Sequence, residues 1–553
     1  MARFGTSSFH FFVACFAITV AFGSSSFGQF DSDNVTLLGH LPLSTIGGGS
    51  GNDIWGWTDS QTGRDYALMG RTNGTAFVDV TDGANPVYLG NLPTATGESI
   101  WRDIKVYNDR AYIVADGDEI GPHGIQIFDL TTLRNVTAPQ TFSAPVSRRG
   151  DLRNAHNIII NEDSGFAYVV GSNLALGGLH IVNLNSSINN PRIAGSFTSV
   201  GEIHDAQVVN YTGPDPDYAG REIAFTAHGN EITLVDVTNK SNPSQISQSG
   251  YPGRVFAHQG WLTEDQHYFI FNDEFDECNR FLLQNGFGCQ PDRAPRTHIM
   301  DVSDLDNPFY VGFHQHDEIS IDHNLYIHGD YIFAANYTSG VRILEMTDLA
   351  NAELTEVGYL DTSPNTDPGF QGAWSVFPFF DDGKIIVSDI ENGLFVAEVD
   401  FLANQIDVDF DDDGSIDCSD IDALTAAIAS GGNESGFDLN GDGNVDAADQ
   451  QQWLTDAGAA NLASGNAYLM GDANLDGFVD GSDFNVWNQN KFSSSPAWCN
   501  GDFNADGVVD GSDFNVWNAN KFTSSNDVAA VPEPGAFASL LLAMASLIAV
   551  RRR

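Results

Sequence analysis

Four stretches near the end of the chain repeat the pattern Asp-x-Asp/Asn-x-Asp-Gly-x-x-Asp-x-x-Asp. Oxygen donors at positions 1, 3, 5, 7 (through its carbonyl), 9 and 12, with glycine turning the loop at position 6, are what a twelve-residue loop needs to wrap Ca²⁺. The donor sets are Asp409, Asp411, Asp413, Ser415, Asp417 and Asp420; then Asp438, Asn440, Asp442, Asn444, Asp446 and Asp449. The third and fourth are Asp472, Asn474, Asp476, Phe478, Asp480 and Asp483, and Asp502, Asn504, Asp506, Val508, Asp510 and Asp513. Position 6 is Gly414, Gly443, Gly477 or Gly507, and position 8 is Ile416, Val445, Val479 or Val509. Leu424, Trp453, Trp487 and Trp517 stand one helical turn past the last donor, so each loop leads into an amphipathic helix. A merely solvated acidic linker has no reason to keep glycine, apolar residue and tryptophan in register with the carboxylates. Ca²⁺ is the expected cofactor.

A second set of candidates recurs in the first four hundred residues. His156-Asn157, His204-Asp205, His258-Gln259 and His323-Asn324 each open an apolar run, as do Asn52-Asp53, Arg102-Asp103 and Trp374-Ser375. Gathered at one place, His156, His204, His258 and His323 with Asp53, Asp103 and Asp205 offer imidazole and carboxylate for a divalent metal or for acid and base chemistry. A residue repeated in most units is also what a repeat needs for its own hydrogen bonds. Two clusters break the repeat: Asp273, Glu274, Asp276 and Glu277, and the run His314, His316, Asp317, Glu318, Asp322 and His323. Either offers cation ligands, although an acidic exported loop is usually just solvated. Gly-x-Ser-x-Gly, phosphate-loop and His-Glu-x-x-His patterns are absent from the sequence.

The elements that must position these residues are strands. FVDVTDGANPVYLG at 77–90 returns as IFDLTTLRNVTAP from Ile127, IVNLNSSINNPRIAG from Ile181, LVDVTNKSNPSQIS from Leu234, IMDVSDLDNPFYVG from Ile299 and ILEMTDLANAELTEVG from Ile343. Each is strand, Asp/Asn/Pro turn, strand. A repeat of roughly fifty residues with this content predicts four-stranded blades around a channel, and it is too long for the rungs of a β-solenoid. Seven openings predict seven blades over residues 30–405. The last unit stops at GLFVAEVDF without its fourth strand, and NVTLLGHL at 34–41 is expected to supply it and close the ring. The predicted fold class is therefore mainly β: a seven-bladed β-propeller followed by small α-helical, EF-hand-like calcium modules at 407–460 and 470–525.

On these motifs the repeat region resembles the LVIVD-repeat proteins of the choice-of-anchor B family, exported bacterial proteins that share a repeat domain and differ in surface anchor. The family implies no settled activity. The aspartate-terminated loops resemble dockerin type I repeats, which implies a cohesin-like partner and a link to polysaccharide catabolism. The recognition positions here, Cys418-Ser419, Ala447-Ala448, Gly481-Ser482 and Gly511-Ser512, vary from loop to loop. Val531-Pro532-Glu533-Pro534, the apolar run 536–550 and Arg551-Arg552-Arg553 resemble a PEP-CTERM sorting signal of Gram-negative bacteria. That resemblance implies transient inner-membrane anchoring and cleavage by an exosortase-type protease.

Residues 1–28 read as a secretory signal, with Arg3, an apolar stretch and small residues before a cut after Gly28. Export agrees with four remaining cysteines: Cys278 with Cys289 would close a short insertion, and Cys418 would be left for Cys499. Seventy-four acidic residues against 24 Lys and Arg give a formal charge of −50, which excludes nucleic acid and anionic membrane surfaces as partners and favours cations. Two functions follow as expectations. One is a non-enzymatic cell-surface or extracellular-matrix protein binding a glycan, peptide or matrix component. The other is an extracellular hydrolase or lyase, acting on polysaccharide or a small ester or lactone at the His/Asp site.

Overall fold

A computed structural model of the chain describes residues 30–117, 121–279, 283, 289–364, 368–402, 408–411, 415–433, 435–440, 443–462 and 464–526. The expected export signal, the sorting signal, and Asp413 and Asp442 of the acidic loops lie outside the described residues. The chain divides into two compact units at residues 404 and 405.

The first unit is a seven-bladed β-propeller. From the channel outward, blade 1 is Gly51–Asp59, Arg64–Arg71, Gly74–Asp79 and Val87–Pro93, and blade 2 is Arg102–Tyr107, Arg110–Ala115, Ile125–Asp129 and Val146–Ser147. Blades 3 to 6 begin with Asn157–Asn161, Asp205–Asn210, Ala257–Leu262 and Leu325–His328. Blade 7 takes Ala373–Phe377, Lys384–Asp389 and Gly393–Val399 from the end of the unit and Val35–Leu41 from its start. The two meet in antiparallel register, Val35 opposite Val399 and Leu41 opposite Leu394. The N-terminal strand thus completes the last blade, and no blade lacks its outer strand.

The repeat has a local cause. Within it, an aspartate accepts the backbone N–H of the Thr or Ser two residues on: Asp79 from Thr81, Asp129 from Thr131, Asp236 from Thr238 and Asp301 from Ser303. Such Asx turns end the third strand and start the connection to the fourth. The fourth strand then carries a bulge at the same place in most blades, with Leu89 as the extra residue opposite Phe77 and Val78 and Ile246 opposite Leu234 and Val235. Its glycine lets the next blade's turn approach: a Cβ on Gly39 would sit 2.4 Å from the Gly83 carbonyl oxygen.

Apolar side chains alternate along the strands and meet between blades. One such layer joins Tyr66, Leu68 and Phe77 of blade 1 to Ile104, Ile113 and Phe128 of blade 2. Another joins Ile54 and Ala67 of blade 1 to Ile386 and Val396 of blade 7. These layers hold the polar openings of the first strands at one end of the channel.

The second unit contains helices Cys418–Ser430, Ala447–Asn461, Gly481–Asn490 and Gly511–Asn520, each starting at position 10 of one of the aspartate loops. One apolar core runs from Val408 through Trp453 and Trp498 to Trp517. The Cys418–Cys499 disulfide, Cα–Cα 5.9 Å, joins the first half of this core to the second. The two expected modules are therefore packed on each other as one body.

Candidate metal centre

Four consecutive blades place a histidine where the first strand enters the channel. Ring centroids are 4.3 Å apart for His156 and His204, 4.4 Å for His204 and His258, and 4.3 Å for His258 and His323. Each ring is turned by 45–46° from the last, close to the rotation from blade to blade in a sevenfold ring. Trp374 continues the arc beyond His323 at 4.6 Å, and Trp101 continues it before His156 at 6.1 Å.

The ring nitrogens can be accounted for in turn. His323 Nδ1 lies 2.6 Å from the Trp374 carbonyl oxygen. A carbonyl only accepts, so Nδ1 carries the proton and Nε2 keeps its lone pair. His156 Nδ1 lies 3.1 Å from Asp116 Oδ2, the carboxylate–imidazole pairing that orients metal ligands. His258 bonds the His323 backbone, and its Nδ1 is buried without a hydrogen-bond partner. His204 Nε2 is also buried without one. Unpartnered buried polar atoms are rare enough to demand an explanation.

Glu274 supplies the carboxylate. It sits in the turn after strand Tyr268–Asp273 of blade 5, and its oxygen accepts the Tyr337 O–H at 2.9 Å. His258, Glu274 and His323 are all buried, and each offers a ligand atom within 4.8 Å of the others. Burial pushes His323 down to about 3 and His204 and His258 well below the usual imidazole range, so these rings are neutral donors. Burial also raises Glu274 to about 7, against the lowering effect of the Tyr337 hydrogen bond. Two or more imidazoles and one carboxylate suit zinc and similar first-row ions.

Glu274 and Tyr337 also line a cavity of about 460 Å³, together with Ile100, Trp101, Phe275, Phe370 and Trp374. Ile100, Trp101 and Phe370 are exposed, at 55%, 41% and 42%. An apolar wall over a few convergent polar groups is the usual form of a small-molecule site.

The three aspartates read with the histidines have a different position. Asp103 accepts from Lys105 Nζ at 2.6 Å, and Asp53 lies 3.4 Å from the same nitrogen. Asp205 is half-buried and raised to about 7 by desolvation and then by Asp103. Asp103 Oδ2 also accepts the N–H of Ile158 in the next blade at 2.6 Å. Asn157 donates to the His204 carbonyl at 3.0 Å, and Gln259 Oε1 accepts the Leu325 N–H at 2.9 Å. In blades 2, 3 and 5 the second residue of the opening therefore pins its blade to the next.

Of the clusters that break the repeat, Asp273 is consumed by the Val255 and Phe256 N–H groups and the Tyr251 O–H. His316 pairs with Thr297 Oγ1 at 3.0 Å, away from the imidazole arc, and Glu318 pairs with Arg342 at 3.1 Å. Glu274 was grouped by sequence with its acidic neighbours; its partnership with the imidazoles had no sequence signal beyond its breaking of the repeat. Tyr337 and Asp116 had none.

In the second unit, Asp417, Asp446, Asp480 and Asp510 cap the four helices, and Asp420, Asp449, Asp483 and Asp513 complete each capping box. Asp472 Oδ2 accepts the Gly477 N–H at 2.9 Å and Asp502 Oδ2 that of Gly507 at 2.8 Å. Gly477 and Gly507 have φ of +80° and +85°, the left-handed turn the spacing requires. Asp409, Asp411 and Asp420 bring ligand atoms within 4.8 Å of one another.

The chain matches no family model and no curated protein sequence. Among solved structures it is similar to Kuenenia stuttgartiensis hydrazine synthase, at 12% identity and a TM-score of 0.41, over 60% of this chain and 91% of that one. It is similar also to a protein from Lactobacillus plantarum, at 12% identity and a TM-score of 0.39, over 60% of this chain and 87% of the other. Likeness at this level concerns the fold alone. Among the described residues, no helix is long and apolar enough to cross a membrane.

Proposed function

We propose that the propeller is a metal-dependent hydrolase or lyase, with a zinc-like ion held by His258, His323 and Glu274 beside His204 and His156. The observation that carries this reading is the approach of Glu274, from outside the repeat, to His258 and His323, with a ligand atom of each of the three within 4.8 Å of the others. A repeat requirement explains four histidines; it does not explain the carboxylate. An ion there would activate water or polarise a substrate oxygen. Trp101, Phe275, Phe370 and Trp374 would hold the apolar part of a small ester, lactone or glycan fragment. Tyr337 would keep the Glu274 carboxylate oriented.

In the same proposal the protein is exported and held at the cell surface or matrix, with the dockerin-like tail binding Ca²⁺ and, if a cohesin-like partner exists, docking to it. The Cys278–Cys289 and Cys418–Cys499 disulfides support an oxidising compartment. Elemental analysis of the purified full chain tests the metal centre. Near one equivalent of a first-row transition metal is expected, falling to background in His258→Ala, His323→Ala and Glu274→Gln, together with metal-dependent turnover in an ester, lactone and glycan panel. A chain that neither holds nor takes up Zn²⁺ or Co²⁺ stoichiometrically would leave a glycan- or matrix-binding protein as the reading.

A further inference from the structure

Three residues beyond the polar openings, roughly 10 Å further along the innermost strands, the channel is lined by Trp55, Lys105, Ile159, Trp261 and Tyr326. With Asp205 and Gln259 they enclose a cavity of about 130 Å³, which equals about four waters of the liquid. Blades 1 to 6 all contribute a wall, which places this cavity on the channel axis. It shares Trp55, Val106, Glu162 and Trp261 with an outer hollow of about 370 Å³ that adds Trp57, Phe377 and Phe379. None of these residues lines the cavity that holds Glu274 and Tyr337. Trp55 and Trp261 are half-buried, and two further rings touch both of them. Tyr326 lies 5.8 Å from Trp55 and 5.0 Å from Trp261 between ring centroids, and Phe379 lies 6.2 and 6.1 Å from the same two.

The polar groups here carry both signs. Lys105 Nζ donates to Asp103 at 2.6 Å, to the Ile104 carbonyl at 3.2 Å and to Asp53 at 3.4 Å, so its hydrogens are spent while its charge remains. The same nitrogen sits 4.5 Å from the centre of the Trp55 ring. Asp205 Oδ1 accepts the Ala206 N–H at 2.7 Å, which leaves Oδ2 to offer. Gln259 Oε1 accepts the Leu325 N–H at 2.9 Å, which leaves its amide N–H groups as donors. Glu162 adds an exposed carboxylate to both hollows. A cationic ligand would meet the Lys105 charge, and an anionic one would meet Asp205 and Glu162; like charges so placed are costly. A neutral ligand rich in hydroxyls meets neither, and it can donate to the carboxylates while accepting from Gln259. It must also present an apolar face to an indole. A sugar ring does both, with axial C–H bonds on one face and hydroxyls around its edge. The outer hollow has room for the ring, and the inner one for its hydroxymethyl arm.

We infer that this level of the channel is a carbohydrate site, taking a neutral pyranose ring against Trp55 and Trp261 with its hydroxyls on Asp205, Gln259 and Glu162. It uses neither the imidazoles nor Glu274, so it stands or falls apart from the metal centre.

Isothermal titration of the full chain with neutral mono- and disaccharides of gluco, galacto and manno configuration tests the site. One-to-one binding of at least one of them is expected. Trp261→Ala and Glu162→Gln should each weaken it about tenfold or more, as loss of a central contact does. Glu274→Gln, which empties the metal centre, should leave it unchanged. The place of binding is read on wild type, whether or not Trp261→Ala folds, by mapping tryptophan oxidation with mass spectrometry. The bound sugar should slow oxidation of Trp55 and Trp261 and spare Trp101 and Trp374, relative to an equal concentration of mannitol, an open-chain polyol without a ring face. Absence of binding across the panel would overturn the site. Protection of Trp101 and Trp374 in place of Trp55 and Trp261 would overturn it as well, since the sugar would then occupy the cavity beside Glu274. So would equal affinity in Glu162→Gln or in a folded Trp261→Ala.

Discussion

Tyr337 donates its phenolic O–H to Glu274 at 2.9 Å, across the boundary between blades 6 and 5. Both follow the second strand of their blade, so neighbouring blades present ligand and support from equivalent positions. Groups of this kind hold a metal ligand in its productive orientation, and losing one costs about 10–100-fold in metal affinity. Tyr337→Phe should leave the fold intact by circular dichroism and weaken Co²⁺ or Zn²⁺ binding by about that factor. Titration with Co²⁺, followed by its visible spectrum, makes the measurement; equal affinity in wild type and variant would show that Tyr337 does not position Glu274.

Much of this arrangement was legible in the sequence because it is local. The Asp79–Thr81 turn recurs in blades 2, 4 and 5, and the seven polar openings recur with it, so the blade count and the missing strand could be read from spacing. The histidine arc was legible for the same reason. What was not legible is the difference between His204 and Asp205, adjacent residues read as one group. Successive side chains on a strand point to opposite sides, and this sends imidazole to the mouth and carboxylate toward Lys105. Glu274 reaches His258 and His323 from the turn after strand Tyr268–Asp273 of blade 5, a relation that no one-dimensional pattern carries.

Ring closure can be tested at the strand that makes it. Removing residues 30–41 takes away the partner of Gly393–Val399 and leaves an unpaired edge rich in buried side chains, including Phe395 and Val396. The truncated chain is expected to melt at lower temperature and to aggregate. A milder variant, Gly39→Val, forces a side chain against the Gly83 carbonyl and the Pro86 ring. It should cost about 1–3 kcal/mol, as overpacking does, with the propeller retained. Unchanged melting of both would argue against closure through this strand.

Asp59 and Arg134 link blade 1 to blade 2 by two charge-assisted bonds, 2.7 Å from Nε and 2.6 Å from Nη2. The guanidinium bonds hold the Asp59 carboxyl at about 2, below its usual 3.8. A depressed carboxylate contributes stability that is complete above the unfolded value and is lost as pH falls toward the folded one. Asp59→Asn should therefore lower the melting temperature at pH 7, and the gap to wild type should narrow between pH 4 and pH 2. A gap independent of pH over that range would mean that the pair's charge contributes nothing.

Trp487 and Trp517 make the acidic tail report on itself. Trp487 Nε1 donates to the Asp510 carbonyl at 2.7 Å and Trp517 Nε1 to the Asp480 carbonyl at 2.8 Å, so each helix holds the loop of the other. The short strands repeat the exchange, Phe478–Val479 pairing with Thr523–Ser524 and Val508–Val509 with Ser493–Ser494. Between positions 407 and 513 there are 22 Asp and Glu against one basic residue, Lys491. Two such charges about 4 Å apart repel by about 4 kcal/mol at an effective dielectric of 20, and every loop gathers several. Two ten-residue helices cannot offset that alone. Calcium binding and folding are therefore expected to be one transition, with Ca²⁺ favoured over Mg²⁺ by the number of oxygens. An isolated 405–527 fragment should lose helix in chelator, and regain it with a blue shift of tryptophan emission when calcium is added. Asp472→Ala and Asp502→Ala should each raise the calcium needed at the midpoint. Reducing Cys418–Cys499 should raise it further, since the unfolded chain then gains the freedom that the cross-link removes. Identical dichroism and fluorescence with and without calcium would end the assignment of these loops to Ca²⁺.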